Sequence, residues 1–311
     1  MKHTYNIILL MSHYSGVKIF KLFPKAPYLI TPHLEKFAGR DFPTPSLYID
    51  GSCRRILYID DVYIPYKVFI LSEGEEPILE VKLFTDDYNL ASKALNIVRE
   101  IYRVDFDYLK FLEKCRVDGR LYHLARKYYG LRPTRVLDIY EALVDSIIEQ
   151  NISLNLAMRI KGKFVRLYGV RAFINGEEYY SFPPPNVISG LKPLDLKGSI
   201  RTTRVKAKAI IEVARLSGEL PKVDEIDRDP YGFMDYITMI KGIGRWTAEI
   251  SVAKVSKKFF VGPFGDLAVK RGFKRVLGIE DEGDMKEILR DLSEYTGLIL
   301  YLLALEGHRR R

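Results

Sequence analysis

The sequence is short of the residues that build metal sites, redox frameworks and membrane spans. It has two cysteines (Cys53 and Cys115), five widely spaced histidines, one tryptophan and a single glutamine, Gln150. Two cysteines cannot make a disulfide framework or a four-thiolate cluster, and no histidine stands at ligand spacing from another, so neither a metal nor a cofactor is expected. No apolar stretch approaches the roughly 20 residues that a membrane-spanning helix requires. The run Ile7–Met11 is too short for a signal-peptide core, so a cytoplasmic protein with no membrane partner is expected. Few thermolabile residues among many Lys, Arg, Glu and Ile fit a heat-adapted composition.

What is present excludes global disorder. Of 311 residues, 47% are hydrophobic, enough for a well-buried core, and the length favours two packed subdomains. The formal net charge is +9, and it is unevenly spread. Residues 1–90 hold 10 Lys and Arg against 11 Asp and Glu, a net of −1, whereas residues 91–311 hold 39 against 29, a net of +10. The surplus beyond residue 90 points to a polyanionic partner, although a soluble basic protein would carry such a charge too.

The period of the apolar residues changes near Tyr88. Before it, Val17–Phe23, Arg54–Asp60, Tyr63–Leu71 and Ile78–Phe84 alternate or run apolar as strands do, with Tyr5–Met11 a further strand and Pro24–Pro45 read as loop. After it, helical spacing dominates, with helices expected at Tyr108–Lys114, Leu121–Tyr129, Ile139–Asn151, Leu154–Tyr168, Arg204–Leu216, Pro230–Ile240, Arg245–Ser256, Asp266–Leu277, Met285–Asp291 and Tyr295–Glu306. Gly169–Pro185 reads as a crossing between two helical lobes, and Arg309-Arg-Arg311 as a frayed basic tail. The expected class is α+β, mainly α: a β-rich subdomain over 1–88, then an all-α body over 89–311.

One segment stands out: Met239-Ile-Lys-Gly-Ile-Gly-Arg-Trp-Thr-Ala-Glu249. A periodic helix runs into Gly242-Ile243-Gly244, and a second helix starts at once, making a hairpin over about 233–256. Exposed backbone N–H groups at such a helix start suit a phosphate oxygen, and Lys241 and Arg245 flank it with positive charge. Taken alone, Gly-x-Gly between helices is a weak signal, and an ordinary interhelical turn is its commoner explanation.

The surrounding residues lengthen the match. Ile240-Lys-Gly-Ile-Gly-Arg-Trp-Thr-Ala248 resembles the helix-hairpin-helix of the DNA glycosylase superfamily, with Lys241 where the family usually has Pro. Phe260-Val-Gly-Pro-Phe-Gly-Asp-Leu-Ala-Val-Lys-Arg271 is similar to the family's aspartate segment. Tyr129-Gly-Leu-Arg-Pro133 and Ala142-Leu-Val-Asp-Ser-Ile-Ile-Glu-Gln-Asn-Ile-Ser153 resemble its lead-in and its Gln-containing wedge loop, and Arg204-Val-Lys-Ala-Lys208 the helix between the two halves. The resemblance covers roughly 88–305. Bifunctional members carry a nucleophilic Lys two positions after the second hairpin glycine; here that position is Trp246. Gly-Arg-Trp-Thr-Ala is instead the form of the 3-methyladenine DNA glycosylase II type, with the 8-oxoguanine branch as second choice. The four-Cys iron–sulfur cluster of endonuclease III relatives is excluded.

The resemblance implies a monofunctional enzyme, nucleoid-associated in a prokaryote, acting as a monomer on double-stranded DNA that contains a damaged, alkylated purine. Asp266 becomes the candidate catalytic carboxylate, although Asp before Leu-Ala-Val also reads as a helix N-cap. Trp246 and Tyr295 become base-pocket aromatics, with Glu294-Tyr295-Thr296 in place of the usual Pro-Trp-Arg. Gln150 and Asn151 become the wedge facing the orphaned base, and Lys241, Gly242, Ile243, Gly244, Arg245 and Thr247 the phosphate-binding hairpin. Arg201, Arg204, Lys206, Lys208, Lys270 and Arg271 are further phosphate candidates. The two other readings are an 8-oxoguanine-type glycosylase with lyase activity and a non-catalytic, structure-specific DNA-binding protein.

Overall fold

The computed structural model describes residues 9–10, 16–39 and 41–309. Most of the expected strand Tyr5–Met11, and the basic tail past Arg309, lie outside the described residues. Strand β1 is Leu9–Leu10. The N-terminal layer follows: β2 (Lys18–Leu22), α1 (Thr31–Phe37), β3 (Leu47–Ile49), β4 (Ser52–Ile59), β5 (Val62–Ser72), β6 (Ile78–Leu83) and α2 (Tyr88–Ile101). The strands form a five-stranded antiparallel sheet in the order β2-β6-β5-β4-β3. Alternation decides its faces: Leu79, Val81 and Leu83 are buried on one side of β6, and Glu80 and Lys82 point the other way. The buried face is covered by α2, whose Ala91, Ala94, Val98 and Ile101 lie one helical turn apart. Asp87 starts that helix by accepting from the backbone N–H groups of Asn89 and Leu90. The sheet's core therefore runs through α2, past the expected boundary at residue 88.

One segment of this layer departs from the sequence reading. Pro24–Pro45, expected as loop, holds α1. Proline is tolerated in the first turn of a helix, where its missing N–H would have had no partner, and Pro32 occupies that turn.

The helical body comprises α3 (Tyr108–Lys114), a 3₁₀ turn (Cys115–Val117), α4 (Gly119–Lys127), α5 (Ile139–Glu149) and α6 (Leu154–Tyr168). A hairpin follows, β7 (Arg171–Ile174) with β8 (Glu177–Tyr180). Then come α7 (Pro185–Ser189), α8 (Pro193–Ile200), α9 (Arg204–Arg215), α10 (Val223–Arg228), α11 (Pro230–Ile237), α12 (Arg245–Val255), α13 (Leu267–Leu277) and α14 (Glu282–Ile288). A second 3₁₀ segment (Arg290–Tyr295) leads into α15 (Thr296–His308). The stretch Gly169–Pro185 is thus not a plain crossing. Asn175 (φ 50°) and Gly176 (φ 81°) make a two-residue turn between β7 and β8, and β1 pairs parallel to β7 on the other side.

Among the described residues, three large apolar cores result, with two smaller clusters where the β7–β8 hairpin meets the sheet and α6. One lies under the sheet. A second gathers α5 to α12 around Leu143, Ile147, Phe164 and Ile210. A third joins α3 and α4 to α13, α14 and α15 around Phe111, Phe273 and Leu302. The chain passes from the second core to the third between α12 and α13, and the site is built there. Close packing sets the approach of α15: a Cβ on Gly307 would come within 1.8 Å of the Ala268 carbonyl oxygen, so only glycine lets the end of α15 rest on the first turn of α13.

Candidate active site

Two helix starts converge. The first belongs to α12. Ile243 is buried at the hairpin tip, while Lys241, Gly244 and Arg245 are exposed. Gly242 has φ +101°, and a Cβ there would meet Ala209 and Val205 of α9 at 3.2 and 3.3 Å, so glycine is required twice over. Gly244 is the N-cap of α12 and, having no side chain, offers no cap to its first-turn N–H groups. Most other long helices here are capped by Asp, Ser or Thr. The start of α12 is thus an open, outward-facing array of backbone donors with the positive end of the helix dipole behind it.

The second start belongs to α13. Asp266 Oδ1 accepts from the backbone N–H of Ala268 at 2.8 Å and of Val269 at 3.2 Å. Its other oxygen, Oδ2, accepts from the Trp246 indole N–H at 3.0 Å. N-cap and catalytic carboxylate are compatible readings of Asp266, and the geometry divides them between two oxygens: capping uses one and leaves the second aimed at the only tryptophan of the chain.

Both residues line a cleft of about 350 Å³, a size common for small-ligand sites. Its walls come from the N-terminal layer and from the helical body on both sides of the α12–α13 link. α1 supplies His33 and Phe37, and α12 supplies Trp246, Ile250 and Lys254; Leu300, Tyr301, Ala304 and His308 come from α15. Burial pushes the His308 imidazole down, with Lys36 and Arg271 repelling its proton and Asp266 pulling the other way.

Part of the cleft lining is charged. Lys161 Nζ donates to Asp145 Oδ2 (2.8 Å) and Glu149 Oε1 (2.6 Å), and Lys254 Nζ donates to Glu149 Oε2 (2.7 Å). Burial alone would raise the Glu149 carboxyl, but Lys161 and Lys254 bring it down to about 2. Burial likewise opposes a charged Lys161, yet Asp145 and Glu149 hold its ammonium above the ordinary lysine value. Beside this square, Arg55 of β4 grips Glu141 of α5 through two parallel hydrogen bonds and ties the sheet to the body.

Four sequence assignments are moved by these positions. Tyr295 does not line the cleft; it packs edge-on against Phe111 (5.5 Å) and Phe106 (6.3 Å) in the third core. Tyr301 of α15 stands in the cleft instead, and the 3₁₀ segment that precedes this helix is kinked at Leu292. Gln150 is not free to act as a wedge: its amide donates to the Gly242 carbonyl and to Thr247 Oγ1, both at 2.8 Å, bracing the hairpin. Asn151 is exposed just past the end of α5, with φ 54°, and remains the projecting residue of the pair. Thr247 is buried at 2% exposure and accepts that Gln150 bond, so its hydroxyl faces the hairpin and not solvent. Lys206 also turns inward, donating to the carbonyls of Ile148 (2.9 Å) and Gln150 (2.6 Å) at the end of α5. Arg201, Arg204, Lys208, Lys270 and Arg271 are exposed. Sequence reasoning missed His33, Phe37, Tyr301 and the charged lining.

Residues 144–297, which span α5 to the start of α15, match the HhH-GPD superfamily of base excision DNA repair proteins. That segment is just under half of the chain, and over it the chain is similar to this superfamily, with 3-methyladenine glycosylases among its relatives. It is 32% identical over 194 residues to the DNA-3-methyladenine glycosylase of Bacillus subtilis, covering 62% of this chain and 64% of that one. It is 33% identical over 134 residues to DNA-3-methyladenine glycosylase 2 of Escherichia coli, covering 42% of this chain and 46% of that one. The chain thus spans less than two thirds of the length of these relatives. Among solved structures, the 3-methyladenine DNA-glycosylase from Archaeoglobus fulgidus superposes with a TM-score of 0.78 at 22% identity, covering 93% of this chain and 98% of that one, which establishes the shared fold.

Proposed function

We propose that the protein is a monofunctional DNA glycosylase that flips a damaged purine, most readily an alkylated one, out of double-stranded DNA and releases it by hydrolysis. The observation that carries this reading is the Asp266 carboxylate, fixed by three N–H donors and set against Trp246 in a cleft beside an open helix start. The basic body attracts the duplex, and the first-turn amides of α12 take a phosphate oxygen. Damaged and weakly paired bases leave the stack at least cost, so flipping itself discriminates.

The chemistry then asks little of the protein. The C1′–N9 bond breaks, its electron pair leaves with the base, and the sugar becomes oxocarbenium-like. The Asp266 carboxylate stabilises that positive charge and orients a water, whose oxygen bonds to C1′ while its proton passes to solvent or base. An alkylated purine departs as a good leaving group, and if it is cationic the Trp246 face contributes roughly 0.5–2 kcal/mol to binding it.

The lyase alternative needs a neutral amine. Among the described residues the lysines in the cleft are Lys161 and Lys254, and both are committed to the Asp145 and Glu149 carboxylates. End-labelled duplexes, each with one lesion (a 3-methyladenine analogue, 7-methylguanine, hypoxanthine or 8-oxoguanine), test this. Strand breaks are expected only after alkali and chiefly on the alkylated bases, with no borohydride-trapped adduct. Breaks without alkali, together with a trapped adduct, would overturn the monofunctional assignment. No excision of any lesion would leave a DNA-binding protein.

A further inference from the structure

On the wall formed by α1 and α15, three neutral polar groups make a chain that the mechanism above does not use. His33 Nδ1 lies 3.0 Å from the Tyr301 hydroxyl, and His33 Nε2 lies 3.0 Å from Thr134 Oγ1. All three residues line the cleft that holds Trp246 and Asp266. Phe37 packs on both rings, at 4.9 Å from His33 and 6.2 Å from Tyr301, which fixes their orientation. Burial, with Arg103 and Lys36 adding repulsion, pushes His33 down to about 3, so the imidazole is neutral and carries one proton.

A neutral imidazole between two hydroxyls has two self-consistent orders. In the first, Thr134 donates to Nε2 and Nδ1–H donates to Tyr301, which leaves the tyrosine O–H free as a donor. In the second, Tyr301 donates to Nδ1 and Nε2–H donates to Thr134, which leaves a tyrosine lone pair free as an acceptor. Neither order creates a charge or breaks the chain. Purine edges differ in this respect: hypoxanthine presents a carbonyl acceptor at position 6, whereas 3-methyladenine presents an amino donor there.

We propose that Tyr301 is a specificity-determining residue that hydrogen-bonds the edge of the base held in the cleft, with His33 and Thr134 setting whether its hydroxyl donates or accepts. This rests on the glycosylase reading above, and it supplies a physical basis for accepting bases of opposite hydrogen-bonding polarity at one site.

Trp246, the only tryptophan of the chain, reports occupancy of the cleft by fluorescence, so the test needs no DNA. Free hypoxanthine and free 3-methyladenine are titrated into the full-length wild type, Tyr301→Phe and Thr134→Val. Tyr301→Phe is expected to weaken both bases by about threefold to tenfold, the worth of one hydrogen bond. In Thr134→Val nothing accepts from Nε2–H, so the proton stays on Nδ1 and the tyrosine is held as a donor. Hypoxanthine should then bind within about twofold of wild type while 3-methyladenine weakens by about threefold to tenfold. A purely structural role for Thr134 would move both bases alike.

Unchanged binding in Tyr301→Phe, or no quenching of the wild type by either base, overturns the proposal. Equal effects of Thr134→Val on the two bases overturn the switching part. Excision assays on lesion duplexes with the same proteins separate the two levels. Excision by wild type with unchanged base binding in Tyr301→Phe removes the role of Tyr301 and keeps the glycosylase; no excision of any lesion removes the glycosylase reading itself.

Discussion

Asp266→Asn is expected to lower single-turnover excision by about 10²–10³-fold, the usual cost of removing one group that stabilises developing charge. Duplex affinity should stay within about threefold, because the phosphate-binding hairpin is untouched. The substitution suits the question because Asn caps helices as well as Asp does. Its Oδ1 can keep the two bonds to Ala268 and Val269, so α13 still begins where it does. What changes is the other atom: an amide donor replaces the oxygen that accepts from Trp246, with a stability loss of about 1 kcal/mol. A rate loss confined within about threefold would show that Asp266 is a cap and nothing more. Loss of folding would contradict the separation of the two oxygens' roles.

The second large effect concerns stability. Arg132 is completely buried and has no carboxylate partner among the described residues; it donates instead to backbone carbonyls of Phe106 (2.7 Å), Arg103 (3.3 Å), Lys25 (3.2 Å), Gly130 (3.3 Å) and Pro27. Its guanidinium also lies 4.8 Å from the centre of the Tyr28 ring. Those carbonyls belong to the loop before α1, the link between α2 and α3 and the lead-in to α5, so one side chain sews the sheet layer to the body. Burial pulls its pKa down to about 10, so ordering this charge is already costly. Replacing it with Met returns that desolvation cost but leaves several buried carbonyls without donors, and the second effect wins. Arg132→Met is expected to destabilise the fold by about 3–5 kcal/mol, measured as a shift of the denaturant midpoint. A loss under about 1 kcal/mol would mean that the carbonyls find water instead.

Local signals in the sequence were readable, and long-range ones were not. The hairpin at Gly242–Gly244 and the start of α13 at Asp266 are written in neighbouring residues: a glycine at 242 where φ is positive, and Asp before an apolar helical run. The bond between Trp246 and Asp266 joins residues 20 apart and depends on two helices meeting, which spacing alone does not report. Gln150 shows the reverse case. A polar residue at the end of a helix invites an outward reading, but the half-buried backbone carbonyl of Gly242 accepts from the Gln150 amide. His33 was hidden because a proline-rich stretch reads as loop, and Tyr301 because the resemblance pointed to the aromatic just before the last helix and not to one within it. The β7–β8 hairpin had a signal that the periodicity reading passed over: Asn175-Gly176 between apolar and aromatic residues is a strong two-residue turn.

The central claim is hydrolysis without strand cleavage, and intact mass spectrometry of the products tests it most directly. A duplex carrying one 7-methylguanine is incubated with excess wild-type protein and quenched without alkali. The prediction is free 7-methylguanine together with a full-length strand lighter by the base and heavier by one hydroxyl. Shortened strands bearing a sugar fragment at the 3′ end, or a strand joined to the protein after borohydride, would contradict it.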